Sequence, residues 1–427
     1  MTGGSLALDV WPGLRPRLLG PGWGVREDLD SYARQGGYLP GLRGEPLIAA
    51  LRDSGLRGRG GAGFPTWRKW LTVWSGERPR FVIANGAEGE PASVKDRYLL
   101  RHRPHLVLDG LLRAIDTLVA ERGFVYLTDG AAATSVRRAL SELGPAGAAI
   151  ELVQAPDSYV AGDETAAVRA VCGEAALPAQ RPPRPFEAGV HGRPTLVTNV
   201  ETLANVTAVA TERAVDDRRL VTVTGDCRRP GLFEVPVGTS FARVVSTLAG
   251  GRCDQDPAFL AGGFFGGIHP SESLATKLVD DAFRAAGGGL GCGAFVLLGI
   301  DDCPVGVAAD VMAYFAAHNA RQCGACINGT AAMRDALFEL ADGRARPELI
   351  ERLARWSTTL RGRGACATLD GASLLAASLL CGFEHAVKRH LAEPCTRCRR
   401  NRPDAHGSAL RFTAPIDNEV CGYAVAT

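Results

Sequence analysis

The order of apolar and polar positions divides the chain into three textures. Up to residue 215, short apolar runs alternate with longer segments of helical spacing. Glu45–Ser54 (EPLIAALRDS) has helical spacing, and Phe81–Asn85 (FVIAN) is an apolar run that ends in a polar loop. Pro104–Glu121 reads as a helix, Phe124–Leu127 as a strand, Ala131–Leu143 as a helix and Ile150–Val153 as a strand. Strands alternating with helices predict an α/β domain with a largely parallel sheet.

The texture changes near Arg219. The segments LVTVTGD, GLFEVPVGTSFARVVSTLAGG and FVLLGI predict short strands around one helix, a small α+β module. From Val305 onward four long helical patterns follow (VAADVMAYFAAH, TAAMRDALFELAD, LIERLARWSTTLR and LLAASLLCGFEHAVKRHLA), and they predict a helical bundle. The resulting division is 1–45, an irregular Gly/Pro-rich segment; 46–215, the α/β domain; 219–300, the small module; 305–393, the bundle; and 394–427, a polar tail.

Composition narrows the function. The chain has 427 residues and a net charge of +2, so no strong field points to nucleic acid or an anionic membrane. No apolar run reaches the roughly 18 residues a membrane span needs. The start, MTGGSLALDVW, lacks the basic and apolar regions of a signal peptide, so a cytoplasmic protein is expected. Twelve cysteines in a chain this long do not make a small disulfide scaffold. Close pairs point instead to metal or redox chemistry, here Cys323/Cys326 and Cys395/Cys398. Scattered cysteines such as Cys172 and Cys227 read as small buried apolar residues. The eight histidines show no metal spacing, and each is expected in a core or solvated role.

Four glycine-rich or acidic segments carry the candidate chemistry. The first runs Gly58-Arg59-Gly60-Gly61-Ala62-Gly63-Phe64-Pro65, with Lys69 after it. Its formal G-x-G-x-x-G follows a helical segment rather than a strand, so the usual dinucleotide fingerprint fails on context. What remains is either a loop whose amides face an anion or flat ring, with Lys69 supplying charge, or a structural turn. The second is Asn85-Gly86-Ala87-Glu88-Gly89-Glu90-Pro91, directly after a strand, where open α/β sheets bind ligands. The third is Tyr159-Val160-Ala161-Gly162-Asp163-Glu164-Thr165. The fourth is Gly189-Val190-His191-Gly192, running on to Thr198-Asn199-Val200-Glu201, where Thr198 or Asn199 is placed to cap a helix. Such a helix start is also an anion site.

In this order the four segments resemble one family, the NADH-binding, FMN-carrying subunit of respiratory complex I and its relatives in bidirectional hydrogenases and NAD-linked formate dehydrogenases. The matching patterns are GLRGRGGAGFPT, N-x-x-E-x-E-P, Y-x-x-G-D-E-T-A and G-x-x-G-x-P-T-x-x-x-N-V-E-T, within residues 45–380. The resemblance implies an α/β fold with a Rossmann-like FMN-binding domain, a ubiquitin-like β-grasp (SLBB-type) module and a C-terminal four-helix bundle. It implies FMN as cofactor, NAD(P)H as substrate and a [4Fe–4S]-type iron–sulfur cluster. It assigns FMN contacts to Gly58, Gly60, Lys69, Asn85, Glu88, Gly162, Asp163 and Asn199. It sets Phe64 beside the dinucleotide, with Glu90 and Glu164 as the catalytic carboxylates.

Some positions depart from the family pattern. Ala87 stands where an Asp is usual, which removes a carboxylate from the flavin cradle. Arg184 stands at an adenine-stacking aromatic position, and Thr72 near a second one. Weaker dinucleotide binding, or a shift toward a 2′-phosphate, is therefore expected. Of the cluster ligands, Cys323, Cys326 and Cys366 remain, while Gly329 occupies the third position. Three cysteines could hold a cluster with an outside ligand or a three-iron cluster, or be the remnant of a lost site. Cys395 and Cys398 could be replacement ligands, half of a zinc site, or incidental. The expected function is an NAD(P)H-linked flavin oxidoreductase passing electrons to a ferredoxin-like or other iron–sulfur partner subunit. The alternative is a non-catalytic scaffold or regulatory paralogue.

Overall fold

The computed structural model describes residues 6–212, 216–252, 258–400, 412 and 414. Among the described residues ten strands form two sheets. β1 (Ala7–Val10) belongs to the second sheet. β2 (Phe81–Asn85), β3 (Arg122–Leu127), β4 (Ile150–Gln154) and β5 (Thr195–Asn199) form the first, in the order β4–β3–β2–β5 and all parallel. β2 is central and covered on both faces, which is why it reads as an unbroken apolar run. Side chains alternate across it. Val82 and Ala84 pack toward helices Pro104–Leu118 and Val200–Ala210, in a core with Val107, Leu111 and Leu203. Phe81 and Ile83 pack on the opposite face with Phe124, Tyr126 and Ala167 of helix Glu164–Val171.

The second sheet is mixed. β6 (Arg218–Gly225), β7 (Gly231–Pro236), β8 (Phe259–Ala261), β9 (Ile268–His269) and β10 (Ala294–Leu297) join β1 in the order β1–β7–β6–β10–β8–β9. Helix Phe241–Thr247 covers one face, where Phe241 stacks on Phe295 with ring centroids 4.0 Å apart.

The segment 1–45 is not irregular throughout, which corrects that expectation. β1 pairs in parallel with β7, Ala7 opposite Gly231, and Leu29–Arg34 is helical. The fully buried Glu234 of β7 holds the segment from the far side. Its carboxylate accepts from the amides of Arg17 (2.9 Å), Leu18 (2.8 Å) and Leu19 (3.1 Å), and from the Arg218 guanidinium (3.0 Å).

The C-terminal region holds four long helices, Pro304–Ala317, Gly324–Ala341, Pro347–Thr359 and Thr368–Gly382. The chain then breaks at Phe383 (φ −134°, ψ 38°), and helix Glu384–Ala392 follows in a new direction. Past this break, Cys395 and Cys398 lie with Cys303 and His390 rather than with Cys366. A short helix, Thr396–Arg400, buries Cys398 against the helical core. The tail is therefore ordered as far as residue 400, and its expected irregular remainder lies mostly outside the described residues. No helix among the described residues is long and apolar enough to cross a membrane.

Candidate functional site

A cavity of about 410 Å³ opens at the carboxyl ends of β2 and β5. Its walls come from all three parts of the chain: the first sheet and its loops, Gly262, Phe265, Gly291 and Cys292 of the second sheet region, and Cys366 to Thr368 of the helical region.

The glycine loop forms one wall. It joins helix Gly44–Asp53 to helix Thr66–Ser75, so no strand precedes it, as the sequence context implied. Its ends are closed by a hydrogen bond from the Gly58 amide to the Phe64 carbonyl (2.9 Å) and one from the Thr66 amide to the Leu56 carbonyl (3.1 Å). Gly58, Gly60, Gly61 and Gly63 line the cavity with backbone alone. A Cβ on Gly60 would lie 3.3 Å from the Asn199 Cβ, narrowing the space between loop and β5.

Lys69 projects from the helix after the loop. Its ammonium lies 2.7 Å from Glu164 Oε2 and 3.4 Å from the Val197 carbonyl. Arg181 reaches Glu164 Oε1 at 3.2 Å, and Arg184 approaches it at 3.8 Å. Burial works to raise the Glu164 pKa, but Lys69 and Arg181 outweigh it, and the carboxylate is held below its ordinary range. Asp163 caps helix Glu164–Val171 by accepting from the Thr165 amide at 2.8 Å. Asn199 caps the helix that follows β5 by accepting from the Glu201 amide at 3.0 Å. Asn85 donates to the Gly162 carbonyl at 3.0 Å, tying the second and third loops together.

The two loop glutamates have different surroundings. Glu88 takes the amides of Asp96 (3.2 Å) and Arg97 (3.0 Å) at the start of helix Lys95–His102, and Arg97 Nε at 3.1 Å. Burial works to raise its pKa, but Arg97, Lys95 and these hydrogen bonds win and lower it. Among the described residues Glu90 has no cation as a hydrogen-bond partner: it accepts from the amides of Phe264 (3.0 Å) and Ala92 (3.5 Å). Burial pushes its carboxyl up to about 8.

All of the expected flavin and dinucleotide contacts line this one cavity: Gly58, Gly60, Phe64, Lys69, Asn85, Glu88, Glu90, Gly162, Asp163, Glu164, Arg184 and Asn199. Three further features escaped the sequence. Lys95, almost fully buried, lies 2.6 Å from Asp96 and 3.2 Å from Glu201, and Asp96 lines the cavity, so a carboxylate is present although Ala87 carries none. Phe186, two residues past Arg184, also lines the cavity and stacks on Phe64 with centroids 6.4 Å apart. Two aromatic rings thus line the cavity although Arg184 and Thr72 stand at the two expected aromatic positions. Cys292 is the third; no pattern around it distinguished it from other buried thiols.

One of the three expected cluster cysteines reaches this cavity. Cys323 precedes helix Gly324–Ala341, Cys326 lies in its first turn, and Cys366 lies on the cavity wall. The Ala365 amide donates to Cys323 Sγ at 3.4 Å. Burial pushes the Cys326 thiol up to about 12, and the neighbouring Cys366 and Cys323 add to the rise. At Gly329 a Cβ would meet the Leu360 Cδ1 at 2.8 Å, so leucine methyls occupy the space a fourth thiol would need. A second set, Cys303, His390, Cys395 and Cys398, lines no part of the cavity.

Comparison with known proteins agrees with this geometry. The family model described as Nuo51 FMN-binding domain matches residues 51–208, and that described as NADH-ubiquinone oxidoreductase-F iron-sulfur binding region matches residues 306–390. The chain is 30% identical to the F-type NADH-quinone oxidoreductase subunit of Salmonella typhimurium, over 82% of this chain and 88% of that one. The chain belongs to the family of F-type NADH-quinone oxidoreductase subunits. It is also 29% identical to the F-type subunit numbered 2 in Rhizobium meliloti, over 86% of this chain and 94% of that one. Among solved structures it resembles a chain of an NAD+-reducing [NiFe]-hydrogenase in the H2-reduced state, with a TM-score of 0.73, 27% identity, and coverage of 90% of this chain and 72% of that one. The protein is accordingly an NADH dehydrogenase-like flavin and iron–sulfur electron-transfer subunit. The residues suit FMN: a glycine wall without side chains, a lysine, and two asparagine amides around one cavity. For the cluster they offer three thiols, one fewer than the usual set.

Proposed function

We propose that this protein oxidises NADH at the cavity and delivers the electrons singly to an iron–sulfur protein partner of ferredoxin-like type, on the cytoplasmic side. FMN, when bound, supplies the step from two-electron to one-electron chemistry. The observation that carries the reading is the convergence of four separate loops, with Lys69 among them, on one cavity that also touches Cys366.

In this reading the glycine loop and Lys69 bind the flavin, with Asn85, Asn199, Gly162 and Asp163 fixing its tail. The Phe64–Phe186 pair stacks the dinucleotide. Glu164 keeps Lys69 and Arg181 in place until the ligand arrives, and Glu90 holds a proton at its carboxyl on the cavity wall. Cys323, Cys326 and Cys366 form the exit for electrons. The second sheet, read as a β-grasp module of SLBB type, closes the cavity through Gly262, Phe265 and Gly291. The test is anaerobic flavin reduction by NADH after reconstitution with FMN. Rapid bleaching of one flavin per chain is expected; failure to retain flavin, or retained flavin that NADH does not reduce, overturns the reading.

A further inference from the structure

We propose that Cys303, His390, Cys395 and Cys398 form a structural site for a single tetrahedral zinc ion, separate from the redox cysteines. Their ligand atoms all lie within 4.8 Å of one another. Cys303 Sγ is 3.4 Å from His390 Nε2, and His390 Nε2 is 3.3 Å from Cys398 Sγ. Zinc bonds of about 2.3 Å to sulfur and about 2.0–2.1 Å to nitrogen give tetrahedron edges of about 3.5 Å from sulfur to nitrogen and about 3.8 Å between sulfurs. The two observed sulfur–nitrogen spacings are close to the first of those edges, and the 4.8 Å limit on the set accommodates the second. A four-iron cube holds its thiolates on separate iron corners, farther apart than this set allows.

The histidine carries the strongest argument. His390 is fully buried, and its Nδ1 lies 2.6 Å from the Ala386 carbonyl one helical turn back. Nδ1 is therefore placed to donate to that carbonyl, which leaves Nε2, between two thiols, as the nitrogen that faces a metal. A metal-bound histidine is oriented by the same kind of second hydrogen bond. The sulfurs are also placed for a metal. Cys303 immediately precedes helix Pro304–Ala317, where free amides favour a thiolate. Gly306 leaves room, since a Cβ there would lie 3.2 Å from Cys398 Sγ. Cys395 and Cys398 stand in a C-x-x-C spacing at the short last helix. Arg397 between them donates to the carbonyls of Ile300 (3.1 Å) and Asp302 (3.3 Å), which fastens that helix beside Cys303.

Four protein ligands leave no open coordination position, which marks a structural zinc site rather than a catalytic one. The ion would join the start of the helical region to helix Thr396–Arg400. This zinc does not depend on the proposed redox function, because none of its ligands touches the cavity.

The test uses the full chain, expressed with added zinc and purified under reducing conditions. Metal analysis should find about one zinc per chain. The zinc absorption edge spectrum should show three sulfurs and one nitrogen at the distances above. Cys398→Ser should lose the zinc, and Cys323→Ser should keep it. If Cys398→Ser does not fold, the spectrum of the unmodified chain decides alone. Folded, reduced protein without zinc overturns the proposal, as does zinc in a different ligand set. Iron retained by Cys323→Ser but lost from Cys398→Ser also overturns it, because an iron site would then occupy these ligands.

Discussion

Two cysteine groups stand in the same helical region and differ in completeness. Cys303, Cys395, Cys398 and His390 close on one point. Of Cys323, Cys326 and Cys366, the expected cluster ligands, Cys366 lines the cavity; the remaining position of the expected set is Gly329, and leucine methyls fill the gap. Closure suits a site that holds segments together, while a site that exchanges electrons must sit next to its donor. On the proposed roles, the ligands are complete where the task is structural and short by one where the task is redox.

The largest expected effect breaks the closed group. Removing its metal with a chelator, or Cys398→Ser, should lower the melting temperature by more than about 5 °C, because metal-binding free energy is folding free energy in such sites. FMN content in the surviving folded protein should not change. Calorimetry together with flavin release checks both halves. An unchanged melting curve would mean that the closed group contributes nothing to stability.

The next effect repairs the open group. Aerobically purified protein should contain little iron, and Gly329→Cys should raise iron and sulfide content after anaerobic reconstitution. The substitution is sterically accessible, since the atom in the way at 2.8 Å is the mobile end of Leu360. A stoichiometric, air-stable four-iron cluster in the unmodified chain would show that another ligand already completes the set. A smaller effect concerns the cavity beside it. Lys69→Ala should reduce flavin occupancy several-fold at limiting FMN, as loss of one charge-assisted contact implies. Unchanged occupancy would remove Lys69 from the flavin site.

Much of this was legible in the sequence, where the signal was local. β2 is a continuous apolar run, and Asn199 caps the helix that the sequence placed after it. The four loops could be read because each follows or opens a regular element. What could not be read depends on distant partners. β1 is four residues long and is defined by pairing with β7 more than two hundred positions away. The turn at Phe383 contains no proline to announce it, and without that turn the tail cysteines could not meet Cys303. Cys395 and Cys398 follow His390 within eight residues, but Cys303 lies 87 positions away, so the set of four is not legible from spacing. Lys95 reads as an ordinary surface lysine, and only the fold encloses it between two carboxylates.

The last expected effect is the most specific, and it distinguishes the two glutamates of one loop. Glu90 is enclosed by the turn after β8, where Gly263 (φ +72°) has no Cβ; one there would lie 2.1 Å from the Glu90 carboxyl carbon. Burial raises its pKa from an ordinary 4.5 to about 8, neighbouring Glu88 adds to the rise, and the amides of Phe264 and Ala92 oppose it only in part. The fold therefore keeps a proton that the unfolded chain releases. That contribution to stability is fully present below pH 4.5 and is lost as pH rises toward 8, at about 1.4 kcal/mol per pH unit at most. Glu90→Gln imitates the protonated carboxyl and should abolish the loss. Urea unfolding of both proteins should agree near pH 5 and diverge upward to pH 8, with the variant the more stable. Glu88 predicts the opposite sign, because its carboxylate is favoured by Arg97 and by the start of a helix, so Glu88→Gln should destabilise most at neutral pH. Parallel pH curves for Glu90→Gln and the unmodified chain would show that Glu90 is ionised in the fold. The proton assigned to the cavity wall would then have to come from another group.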